Sequence, residues 1–569
     1  MEKFYIGISL GFNSSACVYS DERGLISAIS QERLNGQKNT KELPLDAAVK
    51  CCEIAGVETI HKIAISHYEY ISDSYFTRYG EKYNLEGENW EDMLLNYFNH
   101  NTGITIEDED IERIEHHVAH GLSTVAFYES PKDGDYFITS DGFGDGYSGM
   151  IFCVNDIDIS LIDLKNSIAL VYQFVTGALG YKEHQHEGKI TGLAAYGEPK
   201  YLDDFHALYG DGDSDNGLNF KYFMYGLTDE EHEQVKTSNI AYFGEFLKLK
   251  KAVYGVVNNL LENGAKPEDI AATVQEFAEM HTLNWITSFV TNTGHNCYLA
   301  GGLFANVKIN QRIKDLGIFK NVYVCPAMGD EGTAVGAAIA VAGTCDEIKS
   351  PNRCGTCVPG DRKTFERIKD EIDRTKYDVK YIEFNVADYI AENLAQNKIV
   401  CLMRDAMEFG PRALCHRSIL YNCDTKETND WLNKKLSRTE FMPFAPVCRE
   451  EVADDLFKNL DGGRDSAKHM TMTFDCTDEF IQNYPAACHI DNTARPQIVS
   501  SHEDPFIWNV LWRYQTITGK KALINTSFNL HNYPIIESEE VGLDSWLKSD
   551  TDILVIGNVV IEKIGGRDE

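Results

Sequence analysis

The sequence predicts an α/β protein built as two domains. Two similar strand–turn–strand units, near residue 10 and near residue 140, carry the first part of that reading. A Pro-, Gly- and Cys-rich stretch at 344–363, which lacks periodicity, carries the second, placing domains at 1–350 and 364–569. A chain of 569 residues also exceeds what one ordinary core holds together. Hydrophobic residues make up 43% and charged residues 25%, which is ordinary for a globular protein.

Residues 4–10 read as a strand, followed by the turn Gly11-Phe12-Asn13-Ser14-Ser15, apolar Ala16 to Tyr19, and a strand at 25–30. Residues 135–154 repeat the plan: Tyr136 to Thr139, a turn Asp141-Gly142-Phe143-Gly144-Asp145-Gly146, then Met150 to Val154. Two such tips can hold a polyphosphate from both sides, because turn N–H groups form a concave anion site and Gly permits close backbone approach. This is the layout of the actin-like, sugar-kinase-like ATPase fold. Tyr298-Leu299-Ala300-Gly301-Gly302-Leu303-Phe304-Ala305-Asn306 forms a third unit: strand, Gly-Gly turn, then a helix through Arg312 whose start would face a nucleotide. Ala327 to Gly332 is another Gly-flanked acidic turn, carrying Asp330, before an Ala-rich helix. His186-Glu187-Gly188-Lys189-Ile190-Thr191-Gly192 places a Gly-flanked lysine before a small-residue helix start, with Lys189 and Gly192 as nucleotide contacts.

His116 and His120 are four apart in a helix, so both rings face one way and offer two imidazoles to a metal that needs one or two carboxylates more. His117 points elsewhere. Asp141 and Asp330 stand at the two acidic turns that the fold brings to one cleft. Asp211, Asp213 and Asp215 alternate like a calcium loop, but Gly217 falls one place late and Tyr222 stands where a bidentate Glu is needed, so this reads as a solvated acidic loop.

In the second domain, Glu408-Phe409-Gly410-Pro411-Arg412-Ala413-Leu414-Cys415-His416-Arg417-Ser418 puts two arginines behind a Gly-Pro turn. Arg412 and Arg417 suit an oxyanion, since guanidinium is a planar fork of donors that stays charged. Asp491, Thr493, Arg495 and Gln497 alternate, as do Asn525, Ser527 and Asn529; on strands each set would line one polar face. Arg438 precedes the rigid run Phe441-Met442-Pro443-Phe444-Ala445-Pro446.

The run EFGPRAL-x-x-RS, with FMPFAP, DNTARPQ and NTSFN after it, resembles the O-carbamoyltransferases of the nodulation-factor, cephem and tobramycin type, and the resemblance spans nearly the whole chain. It implies an actin-like amino-terminal domain and a YrdC-like carboxy-terminal domain. It assigns His116, His120, Asp141 and Asp330 to an iron-type divalent metal, although the N/O donor set alone also suits zinc or manganese. Lys38, after Glu32-Arg33, matches a lysine that lies by the adenylate. Gly301, Gly302, Asn306, Lys189, Gly192, Arg438, Arg495, Asn525 and Ser527 are expected around nucleotide and carbamoyl groups. Arg412, Arg417, Lys38 and His116 are the expected catalytic residues.

The implied reaction uses ATP with Mg²⁺ and carbamoyl phosphate. It passes through carbamoyl adenylate and ends on the hydroxyl of a small-molecule acceptor. The chain departs from the family pattern at Asn13-Ser14, where many members have His-Asp. It departs again at Leu436, where a lysine is common and Lys435 stands beside it, at Met442, and at Cys415 in place of Gly. These departures point to a different acceptor pocket.

A net charge of −35 without a basic stripe argues against a nucleic-acid partner, and so against a threonylcarbamoyl-type tRNA transferase. A sugar-kinase-like phosphotransferase would leave the second domain's motifs unexplained. A binding protein without turnover is the third alternative. The 15 scattered cysteines suit a reducing cytosol, and Cys354 and Cys357 read as part of a plain loop. Lys3 and the apolar stretch to Cys17 mimic a lipoprotein signal, but Gly7, Ser9 and Gly11 interrupt it. No uncharged run has membrane-spanning length, and a homodimer is left open.

Overall fold

A computed structural model describes residues 2–66, 71–155, 159–208, 229–343, 352–435 and 444–564. The acidic loop at Asp211–Tyr222, together with Leu436, Arg438, Phe441, Met442 and Pro443, lies outside the described residues. The chain forms two compact units. One is Met1–Glu32 with Asn39–Ser350; the other is Arg33–Lys38 with Pro351–Glu569.

The first unit contains the same sheet twice. In one copy, β1 (Phe4–Ser9), β2 (Ser15–Ser20) and β3 (Gly24–Ser30) form an antiparallel meander, and β4 (Lys62–Ser66) and β5 (Glu112–Ile114) add in parallel, giving the order β3-β2-β1-β4-β5. After helix α1 (His116–Val125), the second copy uses β6 (Tyr136–Gly144), β7 (Tyr147–Cys153), β8 (Ile159–Asp163), β9 (Cys297–Ala300) and β10 (Val322–Val324) in the order β8-β7-β6-β9-β10, with the same directions. Parallel strands need a crossover, and α2 (Ile168–Ala178), α3 (Glu187–Ala194) and α4 (Pro267–Phe289) lie between β8 and β9, in the connection that returns the chain to the parallel neighbour of β6. The doubled topology is that of the actin-like ATPase fold. Strands β1 and β2 are almost wholly buried, which is why their residues read as apolar runs rather than alternating ones.

Two local expectations change. The turn expected at Asp141–Gly146 is mostly strand, because β6 runs on to Gly144 past a bulge after Ser140, and only Asp145 and Gly146 make the tip. Lys189 and Gly192 are inside α3, which already begins at Glu187, rather than in a loop before it.

The second unit is built on an eight-stranded mixed sheet. Its strands are β11 (Tyr377–Tyr381), β12 (Val400–Met403), β13 (Arg417–Tyr421), β14 (Ala445–Arg449), β15 (Gln497–Val499), β16 (Ala522–Ser527), β17 (Ile553–Ile556) and β18 (Val559–Lys563). Their order is β11-β18-β17-β12-β13-β16-β14-β15. Helices α7 (Val386–Ala395) and α8 (Pro505–Thr518) join its core. Val386, Ile390 and Leu394 on one helix, and Ile507, Val510, Leu511 and Tyr514 on the other, recur at helical spacing and meet Val400, Leu420, Val447, Leu523 and Val555 of the sheet. Cys354 is buried, Cys357 is exposed, and neither is in a disulfide.

Asp504 anchors a buried charge cluster in this unit. Its carboxylate pairs with Arg404, meets His416 Nε2 at 3.3 Å and Arg353 Nη1 at 3.6 Å, and accepts from Ile507 N at 3.2 Å to cap α8. Burial opposes its ionisation, but His416 and Arg404 outweigh that and hold its pKa below the ordinary carboxylate value. The resulting stabilisation is present above the ordinary carboxylate pKa and is lost as pH falls through the depressed folded-state value. Asp504→Asn leaves Arg404 paired only with the largely exposed Asp405 and is expected to cost about 3 kcal/mol in denaturant unfolding at pH 7.

Candidate functional site

The first unit brings His116, His120, Asp141 and Asp330 together. Glu115 starts α1 as its N-cap, with Oε2 accepting from Val118 N at 2.7 Å, while Asp145 Oδ2 accepts from His116 N at 2.9 Å. Both carboxyls sit where the helix end is positive. Burial, and then the Asp145 charge, raise the Glu115 pKa to about 8. His117 turns away, its ring nitrogens each 3.1 Å from Thr139 Oγ1 and the Tyr147 carbonyl.

Asp141 comes from β6 and accepts from Gly302 N at 3.3 Å. Asp330 opens a short turn that the first sheet holds in place: Ser9 Oγ donates to the Asp330 carbonyl at 2.8 Å, and Ser15 Oγ to the Glu331 carbonyl at 2.7 Å.

His120 Nε2 lies 3.2 Å from Asp141 Oδ2 and 3.4 Å from Asp330 Oδ1, and His116 Nε2 lies 3.9 Å from Asp141 Oδ2. All four ligand atoms fall within 4.8 Å of one another. Donors about 2.1 Å from one ion span about 4 Å, so this group closes on a divalent cation with small side-chain movements. The histidines are buried and the carboxylates half-buried, which places the carboxylates at the accessible side. Burial lowers the proton affinity of His120, but hydrogen bonds to Asp141 and Asp330 overcome it and bring the pKa to about 9. The ring of His116 packs where a side chain on Gly144 would stand, so only glycine fits there.

The Gly-Gly turn follows β9 as expected, with Gly301 at φ 104°. Asn306 is committed to structure. Its Oδ1 accepts from Lys308 N and Ile309 N to cap α5 (Val307–Asp315), and its Nδ2 donates to Gln275 Oε1 at 2.8 Å. Sequence reasoning missed the buried polar chain behind it. Thr191 Oγ1 is 2.8 Å from Tyr172 Oη, which donates to Gln275 Oε1 at 2.9 Å, and Gln275 Nε2 donates to Glu279 Oε1 at 2.8 Å. Arg312 Nε pairs with Glu279 at 3.3 Å. Gln275 and Glu279, four apart on the buried face of α4, were the legible signal.

In the second unit the arginine loop is folded around its own glutamate. Glu408 Oε1 accepts from the backbone N–H groups of Leu414, His416 and Arg417, the last two at 3.4 Å. Arg417 does not present its guanidinium to a ligand. It is fully buried and donates to four backbone carbonyls: Arg404 (2.8 Å), His416 (2.9 Å), Thr356 (2.8 Å) and Asp405 (3.2 Å). The sequence put both arginines in one role; the strand start at Arg417 turns its side chain into the core instead.

Arg412 and Arg495 remain. Neither guanidinium makes a hydrogen bond or ion pair with a described residue, and Arg412 Nε is buried and unsatisfied. Desolvation lowers the pKa of Arg412 to about 10. Desolvation, and then the Arg412 charge, lowers that of Arg495.

The other candidates of this unit support the loop. Asp491 to Gln497 is not one strand: Asp491 caps its own turn by accepting from Thr493 N at 3.1 Å, and Pro496 separates two short strands. Asn525 is buried, and its Nδ2 donates to the Ala413 carbonyl at 3.0 Å and Gln497 Oε1 at 2.6 Å, so its amide nitrogen is taken. Ser527 Oγ donates to Asn529 Oδ1 at 2.6 Å. Lys435 pairs with Asp550. Lys38 is exposed and belongs with Arg33 to the second unit, although the boundary read from the sequence put it in the domain 1–350.

Residues 5–339 match the model of the carbamoyltransferase N-terminus, and residues 391–563 that of the carbamoyltransferase C-terminus. The chain belongs to the carbamoyltransferase family. This carbamoyltransferase is 28% identical to an uncharacterized protein of Methanocaldococcus jannaschii over 98% of its length and 99% of the relative's. It is 26% identical to nodulation protein NolNO of Sinorhizobium fredii over 97% of this chain and 79% of that one. Nodulation protein U of the same organism is 31% identical over 48% of this chain and 47% of its own. Among solved structures, a 2-hydroxyglutaryl-CoA dehydratase component of Acidaminococcus fermentans is remotely alike, at a TM-score of 0.34 and 12% identity over 60% of this chain and all of that one. Among the described residues of the carbamoyltransferase, no helix is long and apolar enough to cross a membrane.

Gly144→Ala is expected to displace the His116 ring and reduce bound divalent metal at least tenfold, read by elemental analysis after dialysis. Cys415 sits fully buried at φ 71°, where the β-carbon is strained. Cys415→Gly relieves about 1 kcal/mol of that strain but removes a buried core side chain, so the denaturant midpoint is expected to show no net stabilisation.

Proposed function

We propose that this carbamoyltransferase is an ATP-dependent O-carbamoyltransferase that draws its carbamoyl group from carbamoyl phosphate. The observation that carries the reading is the Arg412–Arg495 pair: two desolvated guanidiniums close enough to repel, with no carboxylate paired to either among the described residues. A dianionic phosphate supplies what such a pair lacks, and bidentate guanidinium contacts fix its orientation.

Water attacks carbamoyl phosphate held there, giving carbamate and inorganic phosphate. A carbamate oxygen then bonds to the α-phosphorus of ATP as the bond to pyrophosphate breaks. The product, carbamoyl adenylate, has in AMP the good leaving group that free carbamate lacks. In the first unit an acceptor hydroxyl bonds to the carbamoyl carbon, its proton passes to a base, and AMP departs.

His116, His120, Asp141 and Asp330 would hold a divalent ion, which supplies charge neutralisation at phosphate or carbonyl oxygens when bound. The nitrogen and oxygen donors suit iron, manganese or zinc. Gly301, which lies against the Ser140 backbone, and Gly302, which lies against Asp141, would border the nucleotide, and Lys189 and Gly192 on α3 would contact it in the same reading. The acceptor is a hydroxyl-bearing small molecule, and a net charge of −35 would favour a cationic one through long-range attraction.

Mass spectrometry of enzyme with ATP, carbamoyl phosphate and Mg²⁺ or Fe²⁺, without acceptor, tests this. Carbamoyl adenylate, or AMP with pyrophosphate, is expected, falling at least a hundredfold in Arg412→Ala. ADP as the product would replace the reading with a kinase.

A further inference from the structure

The Gly410–Pro411 peptide is an unusual hinge. Gly410 sits at φ 109°, a conformation that L side chains rarely adopt, so the loop can turn there only with glycine. Pro411 has no N–H, so this peptide unit can be fixed only through the Gly410 oxygen. That oxygen accepts from Arg33 Nη2 at 2.9 Å. Arg33 is 377 positions away in the chain, yet the segment Arg33–Lys38 packs with the second unit, while Glu32 and Asn39 on either side pack with the first. Glu32 Oε2 accepts from Asn39 N at 2.7 Å, closing the base of this protrusion.

Arg412 follows the clamped peptide directly, and its guanidinium has no hydrogen-bond or ion-pair partner among the described residues. Downstream, the loop is tied by Glu408 and by Arg417; upstream, the Gly410 oxygen is bonded by Arg33. A charged donor on a carbonyl is a strong hydrogen bond.

We propose that Arg33 is a positioning residue for the oxyanion site of the second unit. By holding the Gly410 carbonyl it fixes the direction in which Arg412 leaves the loop, and the protrusion that delivers it also carries Lys38 to that unit. The proposal rests on the anion-binding reading of Arg412 and Arg495 given above.

Inorganic phosphate is the probe, titrated calorimetrically into the full-length enzyme, with wild type, Arg33→Ala, Arg33→Lys and Arg412→Ala compared. Kinetics of carbamoyl-phosphate-dependent pyrophosphate release run beside it. Arg33→Ala is expected to weaken phosphate binding about tenfold and raise KM for carbamoyl phosphate by a similar factor, with KM for ATP within twofold. Arg33→Lys, which keeps one charged donor, is expected to recover part of the loss. Unfolding midpoints of all variants identify any that fail to fold, and for those Arg33→Lys alone decides.

If wild type binds phosphate, Arg412→Ala abolishes it and Arg33→Ala leaves it unchanged, this inference falls by itself. Equal rises in both KM values would also overturn it, since a general loss of structure does not single out one substrate. If wild type binds no phosphate, or Arg412→Ala binds as wild type does, the anion-site reading falls first and takes this one with it.

Discussion

Everything in the second unit's candidate site depends on one buried carboxylate. Glu408 gathers three backbone N–H groups of the loop that follows it, and in doing so uses up the donors that would otherwise form an anion nest. Arg417 then satisfies the carbonyls around it. The loop is thereby closed on itself electrostatically, and the positive charge left over is concentrated on Arg412 and Arg495. Desolvation disfavours both cations, and Arg412 further disfavours Arg495, a cost that the rest of the fold carries and that a bound anion would offset. Cys415 fits the same picture. Its strained backbone is a local cost at the turn that delivers this charge.

The first unit solves a different problem, since a metal needs several donors from distant parts of the chain. Two come from one helix turn, one from a strand edge and one from a turn pinned by serines of the opposite sheet copy.

Much of this was legible beforehand. Helical spacing was enough to pair His116 with His120 and to turn His117 away, and the strand–turn–strand repeat was visible in the residues at 4–30 and 135–154. What failed was local. Asp141 read as a turn residue because glycines follow it, but the bulge lets the strand continue through them. Asp491–Gln497 read as one strand because alternation outweighed Pro496, whose missing donor breaks the ladder. Arg417 was misread because sequence gives an arginine's charge and not its direction; only the register of β13 shows the side chain going inward. In the polar chain only the Gln275–Glu279 spacing was visible; the link to Tyr172 was hidden because it joins residues 103 apart.

The split membership of Arg33–Lys38 bears on how such a protein can change over generations. A boundary near residue 350 looks like a clean seam at which the carboxy-terminal half could be exchanged for that of a relative. The seam is not clean, because six residues of the other half belong beyond it. An exchanged half would arrive with its own Gly-Pro hinge and find the donor for it chosen by a different lineage. The two halves are therefore expected to be inherited together, and recombination between them to succeed only when this short protrusion travels with the half it serves.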